Sequence, residues 1–249
     1  MNVLVVIPAR MASTRFPGKP LADLAGRPMI LWVVEAARRS LVGEVLVATP
    51  DQEIADCCLA AGVPFERTRL DHLTGTDRIA EVAERRPADI YVNVQGDEPL
   101  IAPESIVACT RALVESEAAE MATLWSPADD HAAADPSIVK VVATRDERAL
   151  YFSRAAIPFA RDSAHAVYRR HIGLYAYRRA TLARIASLRP TPLELAEGLE
   201  QLRFLENGIR IQLAQGGEPG LAVDLPEHAE AVRGYLVGHP QANSDRRTL

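Results

Sequence analysis

Arg10, Arg15 and Lys19 fall within ten residues of one another in IPARMASTRFPGKPL, residues 7–21. The segment follows a β-branched run, Val3 to Ile7, that reads as a strand, and Pro17 and Pro20 stiffen it. Cations and backbone N–H groups at the C-terminal end of a sheet strand make a seat for an anion. Three converging cations suit a polyphosphate. The common phosphate-loop signatures are missing: GxxxxGK[ST] fails at PGKP, and GxGxxG lacks its glycines. The plainer reading is a solvated loop with scattered charges, but the prolines and the tight clustering argue for the anion site.

Composition singles out one of the three. Of 28 basic residues, only Lys19 and Lys140 are lysine. Unless kept by chance, a lysine against that arginine background supplies a compact ammonium that a guanidinium does not imitate. Arg10 ranks next as the cation nearest the strand end, and Arg15 last.

A second constellation is VNVQGDEPLI, residues 92–101, where an apolar strand ends, Gly96 permits a turn, and Asp97 and Glu98 stand at its tip. A carboxylate facing a polyphosphate there suits Mg²⁺, which takes one or two carboxylates together with phosphate oxygens. Ordinary turn chemistry is the alternative. Asp97, nearer the strand end, is the better ligand, and Glu98 reads as an acid leading into a helix. Asp224, in LAVDLPEHAEAV, reads locally as the N-cap of a helix from Pro226. Only the need for a second metal carboxylate gives it another role. Arg154 in LYFSRAAIP and His171 in RRHIGLYAY are polar residues on apolar strands, and Glu200 and Gln201 lie on a helix. Singly they read as ion pairs, satisfied core groups or a solvated face. As a group they suit a polar, anionic acceptor.

The elements that must position these residues follow from the apolar pattern. Short β-branched runs alternate with helical patterns up to about residue 94, which predicts an α/β fold with a mostly parallel sheet flanked by helices. Ligands of such sheets bind at the C-terminal ends of the strands. From about Met121 the strands MATLW, IVKVVAT, ALYFSR and HIGLYAY follow each other closely, which predicts antiparallel additions or a smaller inserted β subdomain over about 121–180. Helices are expected at Pro28–Ser40, Ala180–Leu188, Pro192–Asn207 (capped by Gly208) and Pro226–Val237, and a frayed tail at 238–249. In the helix from Pro192, Leu195, Leu199, Leu202 and Leu205 form a stripe that should pack on the core.

The 249 residues fit one large domain, 48% hydrophobic. A net charge of −5 argues against general binding to nucleic acid or a membrane surface. No run is long enough to span a bilayer, and MNVLVVIPAR lacks a signal peptide's basic start, so a cytoplasmic protein is expected. Cys57, Cys58 and Cys109 read as buried free thiols.

Taken together, VIPARMASTRFPGKPLADLAGRPMI, DHLTGTDRIAEV, VNVQGDEPLI, VKVV, LYFSRAAIP, RHIGLYAYRR and LEQLRFLENG resemble the 3-deoxy-manno-octulosonate (KDO) cytidylyltransferases. The resemblance runs in order from Val6 to about Asp224. It implies a nucleotide-diphospho-sugar transferase-like fold, a homodimer built partly through the inserted subdomain, a requirement for CTP and Mg²⁺, and transfer of CMP to the anomeric hydroxyl of KDO for lipopolysaccharide synthesis. A modified (8-amino) KDO or a sialic acid is the alternative acceptor. Residue by residue, it implies Arg10, Lys19 and Asp97 in catalysis, and Asp97 and Asp224 on the metal. It implies Ala9, Arg10, Thr14, Arg15, Lys19, Thr74, Gly75, Thr76 and Gln95 on the nucleotide, and Arg78, Arg154, His171, Tyr175, Glu200 and Gln201 on the sugar acid. The chain departs from the family pattern at Thr74, where serine is usual, at Phe159, where tryptophan is frequent, and at Leu225 and His228 beside Asp224.

Overall fold

A computed structural model describes residues 1–162, 167–218 and 220–239. Most of the expected tail, 240–249, lies outside the described residues. The chain forms two compact units, residues 1–106 with 219–249, and residues 107–218.

The first unit contains β1 (Val3–Pro8), the small hairpin β2 (Asp23–Leu24) and β3 (Arg27–Pro28), then α1 (Met29–Arg39) and β4 (Glu44–Thr49). It continues with α2 (Gln52–Ala60), β5 (Phe65–Arg67), α3 (Gly75–Arg85) and β6 (Ile90–Asn93). β1 pairs in parallel with β4 and with β6, and β4 with β5. The residues of β1 from Val3 to Ile7 are buried, as expected of a strand covered on both faces. Pro28 is the residue before α1 and not its first turn: its ψ of 137° belongs to the strand pair. α4 (Pro103–Glu115), for which the sequence reading gave no range, carries the chain across the unit boundary. Glu98 stands in the segment ahead of α4, where its N–H closes a turn on the carbonyl of Gln95 at 3.2 Å.

The second unit holds β7 (Met121–Ala128), α5 (Asp130–Ala134), β8 (Lys140–Ala143), β9 (Ala149–Ser153) and β10 (Tyr168–Arg178). They are followed by α6 (Arg179–Ile185), α7 (Pro192–Glu197), α8 (Glu200–Glu206) and β11 (Ile211–Gln215). β10 runs antiparallel to β7, β8 antiparallel to β9, and β11 parallel to β7. The single helix expected over Pro192–Asn207 is two. Gly198, at φ 64°, ends α7 in the left-handed conformation that glycine adopts at low cost, and α8 starts afresh. The break splits the leucine stripe: Leu199 and Leu202 are buried, whereas Leu195 is 73% exposed.

α9 (Pro226–Gly238) returns to the first unit. Its Ala229, Val232 and Leu236 pack with Leu24, Met29, Trp32 and Val223 into one apolar cluster. The cluster fixes Val223, and with it the neighbouring Asp224.

Candidate active site

Lys19, Asp97 and Asp224 come together although they are far apart in sequence. The Lys19 ammonium donates to Asp97 Oδ2 at 2.7 Å, to the Val223 carbonyl at 3.0 Å and to Asp224 Oδ1 at 3.3 Å. Arg15 Nη2 reaches the same Asp224 Oδ1 at 2.9 Å. Two close approaches of backbone make this possible. At Gly96 an added Cβ would stand 2.8 Å from the Pro8 carbonyl, so the Asp97 turn lies against the end of β1 only without a side chain. The Val223 N–H then donates to the Asp97 carbonyl at 2.8 Å, tying the two acidic segments together.

These contacts correct one sequence reading. Asp224 is not the helix N-cap; Leu225 holds that position, and the Asp224 carboxylate faces Lys19 and Arg15. The loop cations also have local counter-charges, since Lys19 and Arg15 are matched within the protein. Arg10 differs: it is exposed, and among the described residues it has no ion-pair partner.

Around this triad lies a cleft of about 380 Å³, lined by Ala9, Arg10, Thr14, Arg15, Lys19, Thr74, Gly75, Arg78, Gln95, Asp97 and Asp224. The loop after β1 is held by two bonds: Met11 N–H donates to Asp51 Oδ2 at 2.7 Å, and Gly18 N–H to the Met11 carbonyl at 3.0 Å. The opposite wall is the start of α3. Thr74 and Asp77 form a reciprocal capping box, with bonds of 3.1 and 3.0 Å. A helix N-terminus favours an anion in front of it. Thr76 is buried, at 3% exposure, and is not a cleft wall.

Arg78 is buried beneath this helix end, donating Nη1 to the hydroxyl of Thr68 and to the Arg69 carbonyl. Burial and the neighbouring Arg10 charge pull its pKa down. Glu81 completes the clamp, accepting from Arg69 N–H at 2.9 Å and pairing with His72. Burial raises the Glu81 carboxyl, but these bonds and the nearby Arg85 outweigh it, and the group stays below its ordinary range. Asp51, His72 and Glu81 went unassigned in the sequence reading. Asp51 reads as the start of α2, and nothing local says that it holds another loop.

The cytidylyltransferase family profile matches residues 4–211. The chain is 49% identical over 245 residues to the 3-deoxy-manno-octulosonate cytidylyltransferase of Geobacter sulfurreducens, covering 93% of this chain and 98% of the relative. It is 47% identical over 239 residues to that of Acidobacterium capsulatum, with 95% and 97% covered. The chain belongs to the cytidylyltransferase family. A solved structure of CMP:2-keto-3-deoxy-manno-octonic acid synthetase complexed with CTP superposes with a TM-score of 0.94 at 42% identity, covering 96% of this chain and all of that one. The fold is thus the nucleotide-diphospho-sugar transferase-like α/β fold.

The remaining predicted residues of this cytidylyltransferase sit in the second unit. Arg154 is half-buried, with Nε on the Glu197 carbonyl at 2.9 Å and Nη1 on the Pro136 carbonyl at 3.1 Å. Gln201 is buried at 4% exposure, and Glu200 is half-buried beside it. His171 packs edge-on against Phe152 at 4.9 Å and tilted against Tyr175 at 5.6 Å. Its Nε2 lies 2.9 Å from Thr123 Oγ1, which also lies 2.8 Å from the Leu174 carbonyl. The single hydroxyl proton can go to that carbonyl, so that His171 Nε2–H donates to Oγ1 and the ring is neutral.

Burial pulls the His171 pKa down to about 3. Between about 6.5 and 3 the unfolded chain binds a proton that the folded chain refuses, so stability rises with pH and is lost on acidification, by at most about 1.4 kcal/mol per pH unit. His171→Asn should therefore flatten the fall in urea midpoint between pH 7 and pH 5. An unchanged slope would show that His171 is not the group responsible.

No helix among the described residues is long and apolar enough to cross a membrane. Cys58 and Cys109 are buried free thiols, and Cys57 is half-buried. Burial raises all three, Cys58 to about 12, which leaves them unreactive at neutral pH.

Proposed function

We propose that this chain transfers CMP from CTP to the anomeric hydroxyl of KDO, releasing pyrophosphate and activating the sugar acid for lipopolysaccharide synthesis in the cytoplasm. The observation that carries the reading is the Lys19–Asp97–Asp224 triad at one end of a cationic cleft. The anomeric oxygen forms a bond to the α-phosphorus, the bond from that phosphorus to the bridging oxygen breaks so that pyrophosphate leaves with the electron pair, and the hydroxyl proton passes to solvent. Such a transfer needs positioning and charge neutralisation more than covalent help from the protein. Arg10, exposed and without an ion-pair partner among the described residues, serves the triphosphate. Lys19, one ammonium within reach of both acids, serves it at the reacting end.

Asp97 and Asp224 fit Mg²⁺. They are hard oxygen donors that already converge on one cation, and two carboxylates leave room for the phosphate oxygens Mg²⁺ prefers. Bound there, Mg²⁺ would neutralise developing charge on the polyphosphate. Arg154 is assigned to the sugar-acid carboxylate, with Tyr175, His171, Glu200 and Gln201, which belong to the same unit, assigned to the rest of the sugar acid. A homodimer is part of the reading, supported by the exposed Leu150, Phe159 and Leu195 of the second unit. A light-scattering mass equal to one 27.1 kDa chain would remove it.

The test mixes protein, CTP and Mg²⁺ with KDO or with N-acetylneuraminate and measures pyrophosphate. Release is expected with KDO. Release with N-acetylneuraminate alone would reassign the acceptor, and release with neither would overturn the reading.

A further inference from the structure

Lys140, the other lysine of the chain, is fully buried, at 0% exposure. Its ammonium donates to three backbone carbonyls: Asp135 at 2.8 Å, Ile138 at 2.6 Å and Arg154 at 2.6 Å. Three donors meet three acceptors, so the group is saturated. A buried ammonium is costly unless it is fully hydrogen-bonded, and a residue that served packing alone would be better apolar. A planar guanidinium could not satisfy a tripod of carbonyls at the same point, which accounts for lysine here among 26 arginines.

The three carbonyls share one feature. Arg154 is itself an acceptor, and the segment from Asp135 to Ile138 contains Pro136, whose carbonyl accepts from Arg154 Nη1 at 3.1 Å. Lys140 thus ties down the backbone of Arg154 and, on the other side, the loop on which its guanidinium rests. Glu197 closes the frame. Its Oε2 accepts from Arg154 N–H at 2.9 Å, its Oε1 from the Ser153 hydroxyl at 2.6 Å, and its carbonyl from Arg154 Nε at 2.9 Å. Burial raises the Glu197 carboxyl, but the bonds from Arg154, Ser153 and Tyr151 overcome this and keep it ionised. Nε and Nη1 are fixed, and Nη2, which has no acceptor among the described residues, is left for a further one.

We propose that Lys140 is a positioning residue for the acceptor carboxylate, acting through Arg154 by holding both its main chain and the Pro136 carbonyl that orients its guanidinium. The proposal rests on the assignment of Arg154 to the sugar acid made above. Its consequence is selective, because Lys140 and its partners all belong to the second unit, whereas the residues of the CTP cleft belong to the first.

The test uses Lys140→Met, Arg154→Met and the double variant. A misplacement of about 1 Å at a substrate-orienting group can cost up to about 100-fold. Lys140→Met should raise KM for KDO by about 10- to 100-fold, while the dissociation constant of Mg²⁺·CTP, measured by calorimetry, stays within about twofold of wild type. The double variant should be no worse toward KDO than Arg154→Met alone. Equal losses toward both substrates, or full additivity, would reduce Lys140 to a structural residue. If Arg154→Met itself leaves KM for KDO unchanged, the assignment of Arg154 falls first, and the proposal with it.

A measurement on the unmodified protein covers a variant that fails to fold. With ¹⁵N-lysine labelling there are only two side-chain ammonium signals, assigned by Lys19→Arg. Adding KDO to protein saturated with a non-hydrolysable CTP analogue should shift the Lys140 signal, and adding the analogue alone should shift that of Lys19. A Lys140 signal indifferent to KDO would overturn the proposal.

Discussion

Asp97→Asn should lower kcat for CMP transfer by about 10³-fold, at the upper end of what one preorganised charge contributes. It should leave the folded chain nearly as stable as before. The turn itself is held by backbone, through the bond from Val223 N–H to the Asp97 carbonyl, and the amide keeps an oxygen for the Lys19 ammonium. The Asp97 side chain is 31% exposed, and a half-exposed ion pair is worth no more than about 1 kcal/mol. Catalysis is affected differently. The site as proposed has two carboxylates for a divalent cation, and the substitution removes half of that charge while leaving Lys19 and Arg15 in place. The variant should therefore need more Mg²⁺ for half-maximal rate and never recover fully. A Mg²⁺ titration of initial rates, paired with a thermal melt, decides it. Wild-type turnover at ordinary Mg²⁺ would take Asp97 out of the mechanism.

The β-α alternation of the first unit was legible because strand and helix periods are local signals. The position of Asp97 just past a strand end followed from the same alternation, whereas Lys19 lies further along the loop after β1. Asp224 was harder to read. In its own segment it looks like a helix cap, and only the apolar cluster of Val223, Ala229, Val232 and Leu236 with Trp32 turns its carboxylate toward the cleft. Such packing is long-range and leaves no mark on local periodicity. The break at Gly198 was missed for the opposite reason. The leucine spacing continues across it, so a helical stripe remained visible where the backbone had already changed course. Arg78 shows the limit for single residues. Sequence identifies an arginine one turn into α3, but only the structure shows that its Nη1 is engaged by Thr68 and Arg69. The frame that Lys140 builds around Arg154 was likewise invisible, because all three of its acceptors are main-chain carbonyls, which every residue possesses.

Lys19→Arg preserves charge and should still lose about 100-fold in kcat/KM for CTP. The Lys19 side chain is 15% exposed, and its ammonium meets acceptors at 2.7, 3.0 and 3.3 Å from three separate groups. Three rotatable N–H bonds on one atom suit that arrangement, whereas a guanidinium spreads its donors over a plane and matches one carboxylate in bidentate fashion. Arginine would therefore side with Asp97 or with Asp224, displace the other, and carry its charge away from the reacting phosphate. Lys19→Met separates geometry from charge. It leaves Asp97 without the Lys19 ammonium and Asp224 with Arg15 alone, so it should melt lower than Lys19→Arg while being no more active. Steady-state kinetics and melts on both variants distinguish the cases. If Lys19→Arg turned over near the wild-type rate, any cation would serve at this position, and the survival of lysine there would be an accident of a chain otherwise built on arginine.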